Sequence, residues 1–269
     1  MVETSFTLKL EGDLAEQHLV EGVAAGEALI GFSRSALIVG NYLSEGRVRH
    51  QVPYIQQARV LVSPPRAGSW EAFFQLAIEN PVVSGLGISI TGAALYDAVK
   101  VTIKRISGQE IDPETTVVQQ LEDQRPGDMD ALAEAIEPAV KSLHSPIGLG
   151  ATVINIIGHG NNVVLNDTSK SYLSASNRLG EIQSKILSIS SYNANTKNGR
   201  AFDQDLSRNI SFKVPSEAAP RSSGEIAAAL SRYANKQPDP YVNVVYDVVE
   251  APDGRPKLYI VHDAWYISE

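Results

Sequence analysis

The run Tyr241-Val242-Asn243-Val244-Val245-Tyr246-Asp247-Val248-Val249 leads through Pro252-Asp253-Gly254 into a second β-rich run, Leu258 to Ile267. β-Branched and aromatic residues dominate both runs, and Asp-Gly between two such runs is a strong hairpin signal. Upstream, Ile182 to Asn193 alternates around Ile186, Ser188 and Ser190, and Asn195 to Gly199 is a polar turn. A short segment at Ala201-Phe202 and a strand over Ile210 to Val214 follow. Pro215, Pro220, Ser222 and Ser223 then lead into a helix from about Gly224 to Ala234, with Ile226, Leu230 and Tyr233 on one face.

Three strands, a helix and two strands within residues 181–269 is the element order of a small closed barrel such as the OB-fold. Residues 1–180 read differently. Phe6, Leu8 and Leu10 alternate with Ser5, Thr7 and Lys9, the period of a half-buried strand. Apolar residues then recur at three- and four-residue intervals from Glu21 to Gly46, which predicts an amphipathic helix. Ala58 to Val62 and Ser69 to Leu76 flank the turn Pro64-Pro65-Arg66-Ala67-Gly68 and predict a hairpin. Asn80 to Tyr96 is 17 residues without a charge. It predicts an apolar helix over 82–106 in which Gly85, Ser89, Gly92 and Ala93 let another helix approach, in the core or at an oligomer interface. The stretch is short of the ~20 apolar residues that span a bilayer, so stable membrane insertion is not expected.

Gln109 to Gly127 is polar, acidic and broken by Pro113, Pro126 and Gly127, which reads as a linker or long loop. Asp128 suits the N-cap of a helix running to about Leu143, with Pro138 inside it. Val153 to Ile157 and Val163 to Leu165 flank Gly158-His159-Gly160 as a small hairpin. The expected fold class is therefore α+β. An N-terminal α/β layered domain with an apolar helix (1–180) precedes a small five-stranded antiparallel β-barrel of OB-like element order (181–269).

Composition narrows the chemistry. The chain has no cysteine, which removes disulfides, thiol catalysis and thiolate metal sites. With 43% hydrophobic and 20% charged residues it is ordinary globular material. A net charge of −8, most of it within residues 1–180, argues against a protein that coats nucleic acid along its whole surface. The first ten residues carry no basic segment followed by an apolar run, so the expected location is the cytoplasm.

The compact catalytic signatures are missing from the sequence. There is no GxSxG, no SxxK and no phosphate-binding GxxxxGK[ST]. The five histidines (His18, His50, His144, His159 and His262) include no pair at helical metal-ligand spacing. His159 is the best placed, in a turn where backbone approaches closely, and a plain loop role suits it better. Asp128-x-Asp130 reads as a helix cap and Asp203-x-Asp205 as a solvated loop rather than as Mg²⁺ sites. No cofactor and no metal are expected.

The barrel carries the candidate site. Lys185, Lys197, Arg200, Arg208 and Lys213 outnumber Glu181, Asp203 and Asp205 within 181–214 and form a weak positive patch. Tyr192, Phe202, Tyr246 and Tyr259 are the aromatics available for base stacking, with core packing their more ordinary role. Arg255, like Arg200, follows a turn glycine and suits either a ligand or an ion pair within the barrel.

Ser191-Tyr192-Asn193 with Gly199-Arg200, Arg208-Asn209-Ile210-Ser211-Phe212 and Asp253-Gly254-Arg255 resemble the C-terminal barrel of an uncharacterised bacterial two-domain family. Gly46-Arg47-Val48-Arg49 and Pro65-Arg66-Ala67-Gly68-Ser69 resemble features of that family's first domain, which has no known function. The resemblance implies an architecture and no activity.

The expected function is a non-enzymatic binding or assembly protein. It would self-associate through the apolar N-terminal-domain helix and engage a partner, a protein or a single-stranded nucleic acid, through the barrel. The alternative is an accessory factor that holds single-stranded nucleic acid on the barrel's basic face.

Overall fold

In a computed structural model the described residues are 1–49, 58–63, 70–79, 82–83, 88–160 and 162–266. They form two compact units, Met1–Ser174 and Ala175–Glu269. In order, the first unit contains β1 (Val2–Glu11), α1 (Gly22–Glu45), β2 (Ala58–Ser63), β3 (Glu71–Ile78), β4 (Val82–Val83), β5 (Ile88–Ser89) and α2 (Gly92–Ile106). It continues with α3 (Thr116–Gln124), α4 (Pro126–Leu143), β6 (Val153–Ile157), β7 (Val163–Leu165) and α5 (Asp167–Ser174).

The larger sheet of this unit runs β2-β3-β1-β6-β7, antiparallel throughout. Alternation in β1 buries Phe6, Leu8 and Leu10, and α1, α2 and α4 supply the rest of the core. Phe6 meets Phe32 edge-on at 5.1 Å and stacks on Tyr96 at 5.1 Å, joining strand, α1 and α2. α1 follows the expected bounds. Glu21 caps it by accepting from the Ala24 amide at 2.6 Å, and Gly46 ends it in the left-handed conformation. α1 is long and apolar enough to cross a membrane, yet it buries Ala28, Phe32, Ala36, Val39 and Tyr42 completely in this core.

Three expectations change. The helix expected over 82–106 begins only at Gly92, with Thr91 accepting from the Ala94 amide as its N-cap. Two short paired strands precede it. α2 is enclosed by its own unit: Ala94 through Ile103 are all buried. A side chain at Gly92 would meet the carbonyl of Glu3, so that glycine serves the contact with β1. The supposed linker at 109–127 holds a helix, α3, whose Val117, Val118 and Leu121 join the core.

The polar approach to α3 is fixed by buried charge. Asp97 accepts from the amides of Glu114 and Thr115 (2.9 and 2.8 Å) and from the Thr115 hydroxyl (2.8 Å). The Lys100 ammonium donates to Glu114 (2.6 Å) and to the Asp112 carbonyl (3.0 Å). Burial opposes its charge, and the bonds from Glu114 and Asp97 outweigh that and raise its pKa. The third change concerns Asp128. It is not the α4 cap; Pro126 opens that helix, and Asp128 accepts from the Tyr42 hydroxyl at 3.1 Å.

The second unit comprises β8 (Asn177–Arg178), β9 (Gln183–Asn193), β10 (Asn198–Asp203), β11 (Arg208–Lys213), α6 (Ala219–Ala234), β12 (Tyr241–Glu250) and β13 (Pro256–Trp265). Strands pair in the order β13-β11-β10-β9-β12, and β12 pairs back to β13, so five strands close a barrel. Four of the five pairings are antiparallel, and β11 with β13 is parallel. Closure by a parallel pair follows from α6, which carries the chain across between β11 and β12. Leu187, Ile189, Ile210, Phe212, Val242, Val244, Tyr259 and Val261 fill the interior, with Ile226 and Ala229 of α6 packed on it.

Two glycines of α1 predict opposite outcomes. A methyl group at Gly31 would collide with the Ala139 carbonyl and the Leu143 amide of α4, whereas Gly26 faces open space. Gly31→Ala should lower stability by about 1–3 kcal/mol, and Gly26→Ala should raise it by roughly 0.5–1 kcal/mol. Urea midpoints at unchanged slope check both; equal effects of the two would contradict the packing.

Candidate ligand-binding face of the barrel

The outer face of the barrel is set by the phase of β10. Ala201 and Asp203 point inward and Phe202 outward, where its ring is 39% exposed. The pairing with β9 slips between Arg200 and Ala201, a bulge that leaves Ser190 unpaired. The Ser190 hydroxyl fills the gap, 3.1 Å from the Arg200 carbonyl and 2.9 Å from Asn209 Oδ1. Beyond the bulge, register aligns one row across four strands. Asn209 lies opposite Phe202, Phe202 opposite Ser188, and Ser188 opposite Tyr241. This row, with Ser190, Gln204, Pro240 and Tyr233 from the end of α6, lines a cavity of about 380 Å³. Tyr233 is 51% and Tyr241 36% exposed, so three aromatic rings surround a floor of hydroxyls and amides.

Next to the cavity lies a buried charge. Asp203 has no exposed surface. It accepts from the Tyr259 hydroxyl (2.6 Å), the Lys185 ammonium (2.9 Å) and the amides of Asp205 and Leu206 (3.0 and 3.3 Å). Burial alone would raise its pKa; the Tyr259 and Lys185 hydrogen bonds reverse this and hold the carboxyl below its ordinary value. Burial and the Asp203 charge push the Tyr259 phenol far upward. The expectation of a solvated Asp-x-Asp loop thus holds only for the exposed Asp205 and fails for Asp203.

Most of the basic residues are engaged within the barrel. Lys185 pairs with Asp203 and with Asp205 at 2.8 Å. Arg208 is buried and donates to the Pro256 carbonyl at 2.7 Å. Arg255 is buried beside Asp253. Arg200 is engaged within the protein, and Lys197 sits in the left-handed turn between β9 and β10. Lys213 is exposed at the end of β11. Tyr192 stacks on Phe212 at 6.0 Å and bonds Ser223 of α6 at 2.7 Å, which is packing. Tyr246 and Tyr259 are inside, 4.4 Å apart. Phe202, grouped with them as an aromatic, is outside by the phase of β10, between the inward Ala201 and Asp203.

In the first unit the bare face of the sheet carries a shallow cavity of about 620 Å³, lined by Ser5, Thr7, Phe73, Gln75 and Ile157 with His159 at the rim. His159 is exposed, with the Tyr96 ring edge-on at 6.4 Å. Its flanking glycines fit close packing, since a side chain at Gly158 would enter the Tyr96 ring and one at Gly160 the Glu114 carboxylate. No second titratable side chain lines this cavity among the described residues. Of the oligomerisation candidates, Gly85 lies outside the described residues, while Ser89 and Ala93 are exposed. Among the described residues no group of three or more His, Asp or Glu is arranged to hold a metal.

A family model described as a domain of unknown function, DUF7946, matches residues 6–174. The chain belongs to the DUF7946 family. Nothing among curated proteins or solved structures matches it. The DUF7946 match coincides with the first unit, and the barrel lies beyond it.

The Asp203 cluster makes a quantitative prediction. Asp203→Asn should cost about 2 kcal/mol at neutral pH, because Lys185 loses its buried partner. The Asp203 contribution is present above the ordinary carboxylate pKa of about 3.9 and is lost as pH falls through its lowered folded value. The gap in urea midpoint between wild type and Asp203→Asn should therefore narrow from about pH 6 to about pH 3. Equal stability at the higher pH would contradict this account.

Proposed function

We propose that this DUF7946 protein is a cytoplasmic, non-catalytic binding protein in which the barrel carries the binding face. This matches the bacterial two-domain layout that its sequence resembles. The observation that supports it is the outward row Asn209–Phe202–Ser188–Tyr241. It places two partly exposed rings on either side of a hydroxyl in the wall of a cavity. Exposed aromatics beside hydrogen-bonding groups are the usual content of small-ligand sites, and barrels of this element order bind through such sheet faces. The DUF7946 unit serves as a packed scaffold. The nucleic-acid alternative has less support, because of the cations it relied on Lys185 is paired and Arg208 and Arg255 are buried.

A photo-crosslinking residue tests the face directly. Placed at Phe202 or Tyr241 in the full chain, it should give a discrete adduct in producing cells, and at the exposed Gly224 of α6 it should not. The same adduct pattern at all three positions, or none at any, would sink the reading.

Self-association is the second part of the proposal, and the exposed residues Ser89 and Ala93 are its remaining candidates. Ala93→Arg should turn an oligomer into a monomer in size-exclusion light scattering with Tm unchanged. Gly92 is unsuited to this test, because a side chain there would strike the Glu3 carbonyl within the same unit. A wild-type chain that is monomeric at every concentration would remove this part.

A further inference from the structure

We infer that the β9–β10–β12 cavity takes a neutral sugar unit of an oligosaccharide. This rests on the reading of the barrel as the binding unit and names the class of its ligand. Three features of the site carry it.

The first is the spacing of the rings. Phe202 and Tyr241 lie on the two strands flanking β9, with Ser188 between them. Two strand spacings separate those backbones by about 10 Å, enough for a flat ring above Ser188 to touch both aromatics. Tyr233 closes a third side. A pyranose presents weakly polarised C–H bonds on its faces, which suit the electron-rich faces of aromatic rings.

The second is the hydrogen-bonding content of the floor and rim. Ser188, Ser190, Asn209, Gln204 and the Tyr233 and Tyr241 hydroxyls all donate or accept without net charge. The Gln204 amide and the Tyr241 hydroxyl make no side-chain hydrogen bond to other described residues. Sugar hydroxyls need such two-way partners around the rim of the ring.

The third is charge. No ionisable acid or base lines the cavity. Gln204 also borders the adjoining depression, which holds Lys185 against both Asp203 and Asp205. The Asp205 side chain is 76% exposed there. The one cation there is already paired with two carboxylates, so a phosphate backbone would find no available charge at the cavity, where single-strand binding needs cations. The volume of about 380 Å³ lies at the small end of ligand cavities, about 300–1,000 Å³, as one or two sugar units require.

The test titrates the full chain with neutral oligosaccharides (cello-, malto-, manno- and chito-oligomers) and with oligo-dT, by calorimetry and by ring-proton NMR. At least one oligosaccharide should bind with affinity insensitive to salt. Phe202→Ala and Tyr241→Ala should each weaken it by about tenfold or more, Phe202→Trp should retain it, and Lys213→Ala should leave it unchanged. Near-UV circular dichroism checks that the variants stay folded. Oligosaccharide binding unaffected by both alanine variants overturns the site. Salt-sensitive oligo-dT binding lost in Phe202→Ala, with no sugar bound, overturns the sugar and leaves the binding face standing. If no probe binds and no crosslink forms at Phe202, both readings fall.

Discussion

The Asp203 carboxylate joins three strands of the barrel. It is carried on β10, takes a proton donor from Lys185 on β9 and another from Tyr259 on β13, and caps the turn that follows through two amides. A buried carboxylate without such partners would be strongly unfavourable, so the strand register that supplies them is the one the chain can adopt. Side chains alternate along a strand, and fixing Asp203 inward therefore fixes Phe202 outward. The candidate binding face follows from that constraint and from the bulge at Ser190, which restores pairing after the slip in register.

The DUF7946 unit meets the problem of internal contact in another way. Its helices approach each other and the sheet where side chains are missing: Gly31 lets α1 lie against α4, and Gly92 lets α2 start on β1. Its buried charges, Asp97 and Lys100, hold an irregular segment rather than a strand register. Both units thus use buried ion pairs where the backbone makes an unusual connection. In the barrel the pair sits beside a cavity.

Much of the architecture was legible because its signals are local. Pro252-Asp253-Gly254 sits between β12 and β13, Gly46 closes α1, and alternation from Phe6 to Leu10 marks the buried face of β1. Segments stabilised by distant partners were not legible. α3 looks like a polar linker because only Val117, Val118 and Leu121 face the core and its entrance is tied by Asp97. α5 (Asp167–Ser174) is too polar for its pattern to stand out and is anchored by Ser169 to the buried His144 at 2.9 Å. On the candidate face, Phe202 was legible as an aromatic that could meet a ligand, and Ser188, Asn209 and Tyr241 were not. Arg208 looked like a surface cation and is buried, and a one-residue slip at Ser190 is what sets Ser188 of β9 opposite Phe202. A sequence period cannot register such a slip.

The distribution of charge decides between ligand classes more firmly than its total. An overall −8 excludes only a protein basic everywhere. The sequence left open a basic barrel, because Lys185, Arg208 and Arg255 could have faced solvent. In the structure each is placed against an internal acceptor: Asp203 and Asp205, the Pro256 carbonyl, and Asp253. Lys185 and Arg208 gain little by turning to a phosphate, since each would abandon one charge-assisted bond to form another, and Arg255 is buried. What then remains accessible around the cavity is uncharged: rings, hydroxyls and amides. Under the proposed reading, such a surface would have no long-range attraction to offer and would recognise a ligand by contact alone, through shape, stacking and directed hydrogen bonds. That would favour a ligand with flat apolar faces and a polar edge, and a sugar ring has both.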